Sequence, residues 1–136
     1  MVGVLIATHL RLGEELLKTA ESIKGKLPQA DFVSIEQGKS MDEIGKELAA
    51  FISKLDSGGG VLILTDIFGG TPSNMSFSFM KERKVEVVTG VNLPMLLKLY
   101  DVQSKLELRE LACVIKESGK NNIYVAGQFL EKKPCS

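Results

Sequence analysis

His9 is the only histidine in the chain. It stands where an apolar run, Val2 to Ala7, gives way to a helical pattern of residues. Imidazole is the one side chain whose unperturbed charge changes between pH 5 and 8. At a matching seam after a second apolar run, Val61 to Thr65, stands Asp66, which opens the stretch D-I-F-G-G-T-P-S-N. A carboxylate that accepts the proton of one imidazole nitrogen fixes the tautomer and leaves the other nitrogen with an outward lone pair. Gly69 and Gly70 let the backbone approach a ligand closely. Thr71 precedes proline in an N-cap pattern, and the first amides of the helix it opens favour an anion. A nucleophilic nitrogen, an acid to orient it and donors for an anion are the parts phosphoryl transfer needs, because that chemistry rests on positioning and electrostatics.

These residues are useful only if the fold brings them together. Val2 to Ala7 and Val61 to Thr65 are continuous apolar runs, which suit strands buried on both faces of a parallel sheet. Asp31 to Ile35 and Val85 to Thr89 supply two more strands. Between them lie helical patterns: Gly13 to Lys24, a segment capped by Ser40 with Glu43 at capping-box spacing, a segment from Thr71 to about Lys81, and one that follows Asn92-Leu-Pro94. Ser104 to Glu107 reads as a further capping box that starts a helix running to about Ser118. Asn122 to Phe129 reads as a fifth strand. The alternation predicts an α/β fold: an open, mostly parallel sheet in the order 2-1-3-4, helices on both faces, and a C-terminal fifth strand. Ligands of such sheets bind at the carboxyl ends of the strands where the order reverses, here between strands 1 and 3. His9 and Asp66 fall on those two ends, and neighbouring strands are about 4.8 Å apart.

The totals exclude several other classes. The chain has 136 residues, with 44% apolar, 25% charged and 17 charges of each sign. That balance and the lack of tryptophan argue against a nucleic-acid partner. No apolar run approaches the roughly 20 residues of a membrane helix, and the start reads as a core strand rather than a leader, so a cytoplasmic protein is expected. Cys113 and Cys135 fit neither a metal knuckle nor a redox pair. Cys113 is expected to be buried and Cys135 to be a free thiol in a reducing compartment. There is no P-loop motif, and Gly58-Gly59-Gly60 precedes a strand instead of following one. One histidine and two distant cysteines do not make a zinc site, so no metal or cofactor is expected.

The stretches I-A-T-H (6–9), L-T-D-I-F-G-G-T-P-S-N (64–74) and T-G-V-N-L-P-M-L (89–96) occur in this order at the expected strand ends. Together they resemble the IIA component of the mannose-type (mannose–fructose–sorbose) bacterial sugar phosphotransferase system, over Val2 to about Ser118. The resemblance implies a phosphohistidine at His9 Nε2, Asp66 on the other ring nitrogen, and Thr71, Gly70 and Gly69 around the phosphoryl group. It implies a donor, the phosphocarrier HPr, and an acceptor, a IIB component, which phosphorylates sugar entering through the membrane components IIC and IID. It also implies a homodimer, in some members with the last strand exchanged between subunits. Residues 1–130 would form a single IIA domain and 131–136 a disordered tail, with IIB on a separate chain.

This sequence departs from the family pattern in one respect that touches the site. Leu10 follows the histidine where the family often has glycine, and Arg11 adds a charge. Leu10, Arg11, Phe68 and Asn92 are the expected partner surface, with Arg11 readable also as a solvated charge and Asn92 as a helix start. Two other readings remain open at this point. Asp66 could itself accept phosphate as in a response regulator, but that needs magnesium held by acids after strand 1, where only Ala7-Thr8-His9 stand. A regulatory module of the same fold, or the phosphocarrier of a dihydroxyacetone kinase, is the other.

Overall fold

The computed structural model describes residues 1–67, 69–131 and 134–135. Four strands, β1 (Gly3–His9), β2 (Ala30–Ile35), β3 (Val61–Thr65) and β4 (Val85–Val88), alternate with α1 (Leu12–Lys24), α2 (Met41–Leu55) and α3 (Thr71–Phe77). Then follow α4 (Leu93–Val102), α5 (Leu108–Asn121) and a short α6 (Ala126–Leu130). The sheet order is β2-β1-β3-β4, and every neighbouring pair is parallel.

β1 and β3 show no polar alternation because both of their faces are covered. Val4, Ile6, Leu62 and Leu64 turn toward Leu17 and Ala20 of α1, Leu96 and Leu99 of α4, and Leu111 and Ile115 of α5. Leu5, Ala7, Val61 and Ile63 turn the other way, onto Ile44, Leu48 and Ile52 of α2, with Met75 of α3 alongside. Successive strand residues point to opposite faces, so a slip of one position would exchange the two cores. That alternation fixes the register, with Gly3 opposite Val61 and Ala7 opposite Thr65. The carboxyl ends of β1 and β3 therefore finish side by side.

A buried glutamine ties the lower end of the sheet. The Gln103 amide donates from Nε2 to Val2 O and to Pro28 O, both at 2.8 Å. It stands at the end of α4 and pins the start of β1 and the turn into β2 to that helix.

Several local expectations are corrected. The segment from Asn122 to Phe129 is not a fifth strand: within the described residues it pairs with no strand, and Ala126 to Leu130 form a helical turn in which Phe129 N–H donates to Val125 O. Among the described residues the outer edges of β2 and β4 carry no further strand. α3 stops at Phe77 instead of near Lys81, because the bonds that follow span three residues rather than four, from Ser78 to Met75 and from Met80 to Phe77. Ser104 starts no helix. It lies in a turn closed by Lys105 N–H on Val102 O, and Glu107 is the residue that precedes α5. Cys113 is exposed, because it falls off the buried stripe of Leu108, Leu111, Ala112 and Ile115. Lys132, Lys133 and Ser136 of the expected tail lie outside the described residues.

Replacing Gln103 with leucine would leave one buried and one partly buried carbonyl without their donor. The expected loss is about 2 kcal/mol of unfolding free energy, measured by urea denaturation, with the circular dichroism of the native state unchanged.

Candidate active site

The site is built on the ends of β1 and β3. The unbroken burial of β1 continues to Thr8, which is fully buried, and then releases His9 into solvent. Thr8 was not singled out from its type, yet it organises the turn: its hydroxyl accepts from Gly13 N–H at 2.7 Å and so satisfies an early amide of α1. Arg11 occupies the cap position of α1 without a side-chain bond. The usual signal of a cap next to the helix is therefore missing, and the cap comes from the strand.

His9 and Asp66 meet through two hydrogen bonds to one oxygen. The His9 ring donates from Nδ1 to Asp66 Oδ2 at 2.8 Å, and the His9 backbone N–H donates to the same oxygen at 3.0 Å. Asp66 Oδ1 accepts from Ile67 N–H at 3.0 Å. The Asp66 side chain is 11% exposed, against 46% for His9. Partial burial pushes the Asp66 carboxyl up, but donation from the His9 ring, the His9 amide and the Ile67 amide outweighs it, so the group is held below the usual aspartate range. An ionised Asp66 has no proton to give, so the bond at Nδ1 must carry the imidazole proton. Nε2 then keeps its lone pair on the exposed side of the ring.

The loop after Asp66 approaches the ring from one side. Gly69 adopts φ +86, a conformation that favours glycine. Gly70 is required for a different reason: a Cβ there would lie 2.9 Å from His9 Cε1 and 3.1 Å from Ile67 Cγ1. The loop is held from behind. The Ser73 hydroxyl donates to Gly70 O at 3.1 Å and Asn74 Nδ2 to Gly69 O at 3.1 Å. Gly70, not Thr71, is the cap residue of α3, because Gly70 O accepts the first intrahelical bond, from Asn74 N–H. Thr71 becomes the first helical residue and is half-buried. The T-G-V-N stretch closes the far side, with Gly90 N–H on Asp66 O and Val91 N–H on Thr65 O.

The expected partner residues fare unequally. Leu10 and Arg11 lie beside His9 and are exposed, Arg11 reaching back to Glu14 and Glu15 on α1. Asn92 is engaged in the fold: its Oδ1 accepts from Met95 N–H, and its Nδ2 donates to Gly119 O. Phe68 lies outside the described residues. Among the described residues no three His, Cys, Asp or Glu side chains cluster as metal ligands, and no helix is long and apolar enough to cross a membrane.

The family model described as the PTS system fructose IIA component matches residues 3–116. The mannose-specific EIIAB component of Escherichia coli K12 is 31% identical over 98% of this chain, which spans 41% of that protein's length. The fructose-specific EIIA component of Bacillus subtilis is 29% identical over 97% of this chain and 91% of its own length. Among solved structures, the mannose/sorbose-specific IIA subunit from Enterococcus faecalis superposes with a TM-score of 0.81 at 28% identity, covering 91% of this chain and 93% of that one. The chain belongs to the mannose-type IIA family of the sugar phosphotransferase system.

Asp66 contributes stability only while it is ionised. Since its native carboxyl titrates below the ordinary range, that contribution is full above a pH of about 4 and fades as the pH falls through the lower native value. In urea denaturation the deficit of Asp66→Asn relative to the parent is expected to be about 1–2 kcal/mol near pH 5 and to shrink as the pH falls below the ordinary aspartate range.

Proposed function

We propose that His9 is the phosphorylated residue, that it takes a phosphoryl group from HPr through Nε2, and that it hands it to a IIB component. The observation that carries this reading is the pair of bonds from His9 to Asp66 Oδ2, which leaves Nε2 as the nucleophile. In the first step a bond forms between Nε2 and phosphorus while the bond from phosphorus to the donor's leaving atom breaks. The proton at Nδ1 stays in its bond to Asp66, whose charge offsets the positive charge that develops on the ring. The second step repeats this in reverse toward IIB. The loop around Gly69 and Gly70, with Thr71 and the first amides of α3, receives the phosphoryl oxygens. Asp66 is poorly suited to accept phosphate itself, because both of its oxygens already accept hydrogen bonds.

On this reading residues 1–130 act as one IIA domain in the cytoplasm, and transport proceeds through membrane components IIC and IID. The working form is a homodimer. In support, Ile123, Tyr124, Val125, Phe129 and Leu130 are all exposed in the single chain, beyond a sheet whose last strand is β4. A second copy would bury them.

Incubation with HPr-phosphate should label the protein, and the label should be lost in acid and kept in alkali, as for phosphohistidine and unlike an acyl phosphate. His9→Ala should take no label. Asp66→Asn should be labelled, but about a hundredfold more slowly, as the tautomer control is lost. Gly70→Ala should slow labelling about tenfold by pressing on the ring, with little change in melting temperature. Full labelling of His9→Ala would refute the assignment. For the assembly, sedimentation should show a dimer for the full chain and a monomer for a chain that ends at Asn122.

A further inference from the structure

Leu10 follows His9 directly, carries a left-handed backbone conformation (φ +48) and leaves its side chain 61% exposed. An exposed leucine in that region gains nothing within the chain, and the conformation costs roughly what glycine would avoid. Strain kept at the rim of a site points toward function. Ile67, whose side chain meets the same Gly70 face as the His9 ring, is 56% exposed, and Leu12 is 48% exposed. The charges nearby cancel: Arg11 pairs with Glu14 and Glu15, and Lys18 pairs with Glu14 at 2.7 Å. The rim of His9 thus carries exposed apolar side chains, and the Arg11 and Lys18 charges beside it are paired.

Resting on the phosphocarrier reading above, we propose that Leu10 is a specificity-determining contact residue, and that the protein exchanging phosphoryl groups with His9 meets it through an apolar surface rather than a charged one. Transfer requires the partner's reacting atom to come within about 3–3.5 Å of the phosphorus bound to Nε2. An interface of ordinary size covers about 800 Å² on each side. A side chain one residue from the nucleophile then lies near the centre of that footprint, where the most costly truncations concentrate. The left-handed turn is what holds Leu10 outward at that centre, since the His9 amide is fixed on Asp66 and the Leu10 amide donates to Ile35 O at 3.2 Å.

The test is steady-state labelling by HPr-phosphate of the protein, its Leu10→Asn variant and its Leu10→Met variant. Asparagine tolerates the left-handed region and removes the apolar contact; methionine keeps the contact. Leu10→Asn should raise KM for the donor about tenfold, with kcat unchanged and melting temperature equal or higher. Leu10→Met should stay within about twofold of the parent in KM. For the parent, KM should change by less than about threefold between about 50 and 300 mM salt. An unchanged KM in Leu10→Asn, a fall in kcat alone, or a steep salt dependence would each overturn the proposal while leaving His9 labelling intact. Absence of any label on the parent would instead remove the phosphocarrier reading, and this inference with it.

Discussion

A single carboxylate oxygen, Asp66 Oδ2, receives both the backbone amide and the ring of His9. The amide bond places the residue and the ring bond aims it, so one acceptor fixes both position and tautomer. The arrangement works because Asp66 is itself overdetermined. Its second oxygen holds the Ile67 amide, its carbonyl receives Gly90, and the preceding Thr65 carbonyl receives Val91. Much of the stretch from Leu64 to Asn74, and of the stretch from Thr89 onward, serves to hold this one side chain still. On the phosphocarrier reading proposed above, the chemistry asks only that a lone pair face outward, and the bonds of His9 to Asp66 leave Nε2 for that.

The elements that make this possible were legible in the sequence to different degrees, for physical reasons. β1 and β3 were plain because a strand covered on both faces must be apolar throughout. Ser40 announced α2 because its hydroxyl does accept the Glu43 amide. The strand ends, and so the meeting of His9 with Asp66, followed from the right-handed crossovers of a parallel sheet. The sequence said less where partners come from far along the chain. Thr8 caps a helix from within a strand, Ser73 and Asn74 brace a loop from the helix that follows it, and Gln103 reaches back 101 positions to Val2. Nothing in local spacing encodes such bonds. Ser104 had the letters of a capping box without the context, and Asn122 to Phe129 had the composition of a strand, yet a helical turn starts at Ala126. Gly70 was expected near the phosphoryl group. Its need for a bare backbone against the His9 ring is visible only with the ring in place.

The two faces of the sheet divide the labour. α1, α4 and α5 make the larger core, and α2 with α3 makes the smaller one. His9 leaves β1 toward solvent between them, and the loops that reach it come from both sides: the turn into α1 from one, and the glycine loop into α3 from the other. A substitution deep in either core that tilts one helix would shift only one wall of the site, so its effect on stability and its effect on the nucleophile need not run in parallel.

The same ordering has a consequence for the chain as it is made. β1 is the first strand synthesised and sits inside the sheet, yet its partner β3 ends 56 positions after β1 does, and the His9–Asp66 bonds span 57. β2 can zip onto one side early, while the other edge of β1, with its row of bare amides and apolar side chains, stays open until nearly half of the polypeptide has left the ribosome. Long-range parallel pairing of this sort is slow and exposes nascent chains to miscoupling. A pause in translation before residue 61 would thus leave a half-sheet whose His9 has no carboxylate to hold it, recognisable to a chaperone by the naked flank of its own central strand.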